Sequence, residues 1–93
     1  MNTYREQISQ FVVEYHEELP AEHQAQYRIN GVDPDTVWNL KWSFTQQQHA
    51  EDQCRTDQRS HDSFCAERSI PPWKTFRVRD MGAPVEVERE AWF

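Results

Sequence analysis

The chain has 93 residues and a formal net charge of −6. A domain this short buries a modest core, and Val, Ile, Leu and Phe supply only 17 of its 93 residues. Four Trp, three Tyr and five Phe still provide a large apolar area. We therefore expect a single folded domain over residues 1–93. The acidic balance argues against direct binding of nucleic acid, and no apolar run reaches the roughly 20 residues of a membrane span.

Residues 3–19 carry a helical pattern. Thr3 and Glu6 have the spacing of a capping box. Six apolar residues then fall on one helical face: Tyr4, Ile8, Phe11, Val12, Tyr15 and Leu19. Pro20 limits the element, because the residue before proline avoids the helical conformation. The pattern predicts an N-terminal helix over residues 3–19.

The segment after Pro20 combines helix and turn signals. Proline is favoured at the start of a helix, so residues 21–27 can form a second, short one. Asn30 and Gly31 indicate a turn. Asp33 is suited to an N-cap, with Pro34 at the first helical position.

Residues 37–44 alternate between apolar and polar side chains. Trp38, Leu40, Trp42 and Phe44 recur at every second position, which predicts a half-buried strand with these four on one side. The alternative is a helix that continues from Asp33 with Val37, Leu40 and Phe44 as its apolar stripe.

Residues 45–68 form the longest predicted element, a helix without Val, Ile or Leu. A helix of this length usually buries an apolar stripe, and here the stripe is thin: Ala50, Cys54, His61 and Cys65, with Phe64 at its edge. We expect this seam to pack against the strand at 37–44 or against a second copy of the chain. Pro71 and Pro72 end the element.

Residues 74–80 and 85–90 predict two further strands. Pairing them as a hairpin sets Arg79 opposite Glu86, Val78 opposite Val87 and Arg77 opposite Glu88. Trp92 and Phe93 follow as docking or exposed aromatics. The predicted fold class is α+β, with a three-stranded antiparallel sheet (37–44, 74–80, 85–90), an N-terminal helix (3–19) and a long central helix (45–68).

Two clusters invite a chemical interpretation. His61 and Cys65 are four residues apart on the central helix and offer half of a tetrahedral zinc site. Cys54 lies about 16 Å from Cys65 along the helix axis, too far to bind the same ion. Asp57, His61 and Cys65 are the residue types of a catalytic arrangement in which a thiol is the nucleophile, a histidine is the base and a carboxylate orients the histidine. Structural packing explains both clusters more simply, so we expect no catalytic residue, metal or cofactor.

We expect a non-enzymatic protein-binding module. The concrete hypothesis is a phage or mobile-element inhibitor, of the anti-CRISPR or anti-restriction type, whose acidic surface engages a basic nucleic-acid-binding host protein. The expected partner-binding residues are the charged side chains Glu14, Glu17, Glu18, Glu22, Asp33, Asp35, Glu51, Asp52, Arg55, Arg59 and Asp62.

Two alternatives stay open. One is a self-associating accessory or structural protein, a homodimer joined through a helix–helix seam. The other is a metal or thiol protein that uses His61 and Cys65. Trp and Arg dominate binding hot spots, so the aromatics and arginines of residues 73–79 also form a candidate protein-binding patch. The N-terminus lacks the basic start and apolar middle of a signal peptide, and a cytoplasmic protein with free thiols is expected.

Overall fold

A computed structural model describes residues 2–91. Its elements in chain order are β1 (Asn2–Ile8), β2 (Phe11–Glu17), α1 (Ala21–Ile29), a 3-10 turn (Pro34–Thr36), β3 (Asn39–Phe44), α2 (Gln47–Glu67), β4 (Lys74–Asp80) and β5 (Val85–Ala91). β2 lies between β3 and β4 in a three-stranded antiparallel sheet, and β1 pairs with β5 in a two-stranded ribbon. The predicted α+β class, with a three-stranded antiparallel sheet and a long central helix, is confirmed.

The helix predicted over residues 3–19 is wrong, because these residues form β1 and β2. The N-terminal helix of the fold is the shorter α1. β2 is the central strand, and Val12 and Val13, which point to opposite sides of the sheet, are both fully buried. A strand buried on both sides does not alternate, so its apolar run also satisfied a helical spacing. The β-branched and aromatic residues of β2 favour the strand.

β4 and β5 lie where strands were predicted, but they do not pair with each other. Asp80 at the end of β4 lies opposite Phe11, and Val85 at the start of β5 lies opposite Ile8. The predicted pairs Arg79–Glu86, Val78–Val87 and Arg77–Glu88 are therefore wrong. The β2–β4 ladder leads into the β1–β5 ladder across residues 81–84, where the Met81 amide donates to the Gln10 carbonyl at 2.9 Å. The prediction for Trp92 and Phe93 lies outside the described residues.

β3 confirms the strand predicted at 37–44, but its four large apolar residues do not share one side. A register shift between Val13 and Glu14 pairs Val13 with Trp42 and Glu14 with Leu40. The extra residue in β3 is Lys41, and an insertion of one residue reverses the alternation. Trp42 and Phe44 therefore face α2, whereas Trp38 and Leu40 lie on the other side of the sheet.

α2 falls inside the predicted range 45–68 and packs across one side of the sheet. Ala50 and Cys65 are fully buried there. The small-residue seam of the helix is thus used within the chain, as expected for packing against the sheet. Ala50 and Cys65 therefore have no surface left for a second copy of the chain, and self-association through the rest of the seam stays a prediction.

The segment from Pro20 to the start of β3 contains the predicted short helix and cap. The Asp33 side chain accepts the backbone N–H of Asp35 at 3.0 Å, and Gly31 takes the positive φ of a turn. No residue of α1 is buried, and its main tertiary contact is with the 3-10 turn. The radius of gyration is 15.7 Å, against about 12 Å for a compact chain of this length. The β1–β5 ribbon, whose strands mainly contact each other, accounts for this less compact shape.

Candidate protein-binding surface

The side of the three-stranded sheet turned away from α2 is here called the open face. Glu14 lies at its centre, and its side chain is only 4% exposed. One carboxylate oxygen, Oε1, lies 2.7 Å from Nε of Arg77 and 3.3 Å from Nε of Arg79. Glu14 was predicted to bind a partner directly, and that prediction is wrong because the carboxylate is buried and already paired.

Trp38 and Leu40 complete the open face. The Arg77 guanidinium stacks on the Trp38 ring, with Cζ 3.7 Å from the ring centroid. The His16 ring lies 5.6 Å from Trp38 on the same side, and its Nδ1 bonds the Val37 carbonyl at 2.9 Å. Leu40, opposite Glu14 in the register, is 40% exposed. The open face therefore presents an aromatic ring, an aliphatic side chain and two arginines.

The patch predicted over residues 73–79 is only partly assembled. Its arginines belong to the open face, but Trp73 packs edge-on against His61 with ring centroids 4.5 Å apart. Trp38 takes the aromatic position beside Arg77. No local sequence signal indicates this contact, because Trp38 immediately precedes β3, Arg77 lies on β4, and the bulge at Lys41 decides which side Trp38 faces.

On the α2 side, the groups once considered for catalysis make structural bonds. Asp57 accepts from Trp42 Nε1 and from the Gln53 amide, each at 3.0 Å, and lies 3.3 Å from Lys41 Nζ. His61 Nε2 accepts the backbone N–H groups of Trp73 at 3.1 Å and Lys74 at 3.2 Å. An accepting nitrogen carries no proton, so the ring proton resides on Nδ1.

Gln58 closes the outer edge of β4 beside His61, a role that sequence reasoning missed. Its Oε1 accepts the Phe76 N–H at 2.9 Å, and its Nε2 donates to the Lys74 carbonyl at 3.1 Å. These two α2 side chains satisfy backbone groups that an edge strand otherwise leaves open. The only sequence signal was their spacing of three on one helical face.

The proposed metal pair does meet in space, with Cys65 Sγ 3.5 Å from His61 Nε2. That nitrogen already accepts two backbone N–H groups, so it offers no lone pair to a metal. Within residues 2–91, no three His, Cys, Asp or Glu side chains are grouped to hold a metal ion. Burial and the nearby Asp57 carboxylate raise the pKa of the Cys54 thiol, against a smaller opposing effect of Arg55. A raised pKa disfavours the reactive thiolate at neutral pH.

The remaining residues predicted to bind a partner lie on two parts of the chain. Four exposed carboxylates, with Arg28 as the only Lys or Arg among them, form what is here called the acidic segment, residues 18–35: Glu18, Glu22, Asp33 and Asp35. The others are Glu17 on β2 and five residues on α2. Each lies next to a polar side chain: Glu17 and Lys74, Asp52 and Arg55, Glu51 and Gln47, Asp62 and Gln58, and Arg59 with Asp62 in a surface groove.

Comparisons with known proteins provide no relative for this chain. Neither the protein-family models, nor the curated proteins, nor the solved structures contain a match. In the part of the chain from residue 2 to residue 91, no helix has the length and apolar character to cross a membrane.

Proposed function

We propose that this chain is a non-enzymatic protein-binding module. The observation that carries the proposal is the open face, where Trp38, Leu40, Arg77 and Arg79 lie together on the side of the sheet that α2 leaves uncovered. Trp and Arg are the residues most enriched in binding hot spots. Leu40 is 40% exposed, and the side chains of Arg77 and Arg79 are 45% and 53% exposed, so a partner has access to them.

The charge of the acidic segment favours a partner that carries a basic surface. Its four carboxylates against one arginine give 1 − 4 = −3 over residues 18–35. Complementary charge accelerates association with a basic protein and favours it over acidic competitors. We propose, as the concrete form, an inhibitor of a nucleic-acid-binding host protein, encoded by a phage or mobile element. In this form the carboxylates compete with phosphates for the partner's lysines and arginines.

The test is affinity purification from lysate of the native host with four matched baits. These are the wild type, Leu40→Lys on the open face, Glu22→Lys with Asp35→Lys on the acidic segment, and Glu67→Lys as a control at the exposed end of α2. We expect one basic nucleic-acid-binding protein with the wild type and the control, and a loss of at least ten-fold with each of the other two. If no protein is captured by the wild type and lost with the two surface variants, the protein-binding function is contradicted. If the captured partner does not bind nucleic acid, the inhibitor form is contradicted.

A further inference from the structure

The arginine pair on the open face has more donors than the chain satisfies. Two guanidinium groups carry ten N–H donors and two positive charges, whereas one carboxylate offers about four lone pairs and one negative charge. The local charge is therefore 2 − 1 = +1, in a chain whose net charge is −6. Glu14 is the only acidic partner that the structure gives Arg77 and Arg79 within residues 2–91.

The two guanidinium groups are held in place before any partner arrives. At Nε, the inner end of each group, Arg77 donates a hydrogen bond to Glu14 Oε1 at 2.7 Å and Arg79 forms an ion pair with the same oxygen at 3.3 Å, and the Trp38 ring lies under Arg77. The Nη atoms form the outer end, and the side chains are about half exposed. Fixed donors lose little conformational entropy when they bind, and a planar fork of this kind matches a carboxylate through two parallel hydrogen bonds.

We propose that the open face binds an acidic peptide segment of a protein partner. A Glu or Asp carboxylate of that segment bridges the outer N–H groups of Arg77 and Arg79, and a neighbouring apolar side chain rests on Trp38 and Leu40. Glu14 is the positioning residue that holds the two arginines. A nucleic acid is the less favourable occupant, because the net charge of −6 repels a continuous line of phosphates while a short segment brings only one or two charges.

This inference rests on the proposed protein-binding function and adds the chemistry of the bound segment. The partner then meets this chain at two places, with a basic surface at the acidic segment and a carboxylate at the open face. The two contacts fail independently, so they can be tested separately.

The probe is a short fluorescent peptide with two glutamates, Leu-Glu-Leu-Glu-Leu, and its binding to the full chain is followed by fluorescence anisotropy. A peptide with glutamine in place of every glutamate is the matched control, and a single-stranded oligonucleotide of equal charge is the competitor. We expect the glutamate peptide to bind at least ten-fold more tightly than either. Equal affinity for both peptides, or tighter binding of the oligonucleotide, overturns the proposal.

Three variants locate the site. Arg79→Gln removes a charge and is expected to weaken glutamate-peptide binding at least ten-fold, and Arg79→Lys keeps the charge but loses the fork, with an expected loss of three-fold or more. Arg5→Gln, at an exposed arginine of the β1–β5 ribbon, is expected to stay within two-fold of the wild type. If Arg79→Gln does not fold, Arg79→Lys and the amide shifts of residues 38–40 and 77–79 on peptide addition decide the question. Equal effects of the Arg79 and Arg5 variants, or shifts elsewhere, overturn the site.

The host-lysate experiment separates this inference from the proposed function. A partner captured equally by the wild type and Arg79→Gln keeps the function and removes the carboxylate site. Peptide binding that depends on Arg79, without any captured partner, keeps the carboxylate site and removes the function.

Discussion

The two sides of the three-stranded sheet are covered in different ways. Against α2, the small residues Ala50 and Cys65 let the helix approach, and both are fully buried with Val13. On the open face, a buried carboxylate is covered by two long arginines. Arginine can bury its apolar stem while its charged end stays in water. A chain poor in Val, Ile and Leu can thus cover one side with a helix and the other with side chains of its own strands.

The comparison also separates two kinds of energy. Contacts on the α2 side depend on apolar area and fit, whereas those on the open face depend on charge balance. A buried ion pair is weak evidence of net stability, but removal of one member is costly because it leaves an unpaired buried charge. Substitutions on the two sides are therefore expected to differ in size and in cause.

The largest effect is expected when both arginines of the open face are removed. Arg77→Met with Arg79→Met keeps two long side chains over Glu14 but removes both positive charges, so the buried carboxylate has no partner, and we expect the free energy of unfolding to fall by about 3 kcal/mol. Of the single variants, Arg77→Met should cost more, because the Arg77 contact to Glu14 is shorter and Arg77 also stacks on Trp38. Urea denaturation measures both.

The control for the arginine pair is Arg5→Ala in the β1–β5 ribbon. Arg5 and its partner Glu86 are both exposed and lie 3.6 Å apart, so the loss should stay below about 1 kcal/mol. A double-arginine variant that loses no more than Arg5→Ala would show that Glu14 does not depend on its partners, and the distinction between the two sides would fail.

The next effect compares two adjacent valines on opposite sides of the sheet. Val12 and Val13 are both fully buried, so truncation of each to alanine removes the same atoms. We expect Val13→Ala to cost about 2 kcal/mol, because α2 and the sheet hold their spacing and a cavity remains. Val12→Ala should cost about 1 kcal/mol less, since the open-face side chains can relax into the space. Urea denaturation gives both values, and equal losses would mean that the open face is packed as rigidly as the helix-covered side.

Local signals predicted part of this arrangement. The prolines after α2 mark the end of the helix, and Asp33 is recognisable as a helix cap. The alternation of apolar and polar residues predicts the ranges of β3 and β4. β2 was missed because a strand buried on both sides has no period of two. The helix predicted over residues 3–19 left out β1 and β2, the actual partners of β5 and β4, and the two strands adjacent in the chain were therefore predicted to pair as a hairpin.

The open face could not be predicted from the sequence, for a related reason. Glu14 and Arg77 are 63 positions apart, and nothing in the composition separates Glu14 from the other acidic residues of the first half. Its buried position depends on β2 being central. The side that Trp38 faces depends on the bulge at Lys41, which reverses an alternation that otherwise places Trp38 with Trp42.

A smaller effect is expected where α2 holds the start of β4. His61→Phe keeps a ring against Trp73 but removes the acceptor for the Trp73 and Lys74 N–H groups, and a half-buried donor without a partner costs about 1 kcal/mol or more. The same change at the exposed His49 is the control and should be nearly neutral. Hydrogen exchange of these two amides should accelerate only in the His61 variant, and unchanged exchange would show that Nε2 does not hold this edge.

The smallest effect is expected at the boundary between the sheet and the β1–β5 ribbon, where neither α2 nor the open face contributes. The Gln10 amide donates to the Asp80 carboxylate at 2.9 Å, and the Gly82 N–H donates to the same oxygen at 2.8 Å. Both bonds lower the pKa of Asp80 below its ordinary value of 3.8. The folded chain then holds this proton less tightly than the unfolded chain does, so the stabilisation is complete above pH 3.8 and is lost as the pH falls towards the folded-state pKa. Carboxyl NMR should show the low value in the wild type and in Gln7→Ala, and a higher one in Gln10→Ala. An Asp80 titration that is the same in all three would place the cause outside this contact.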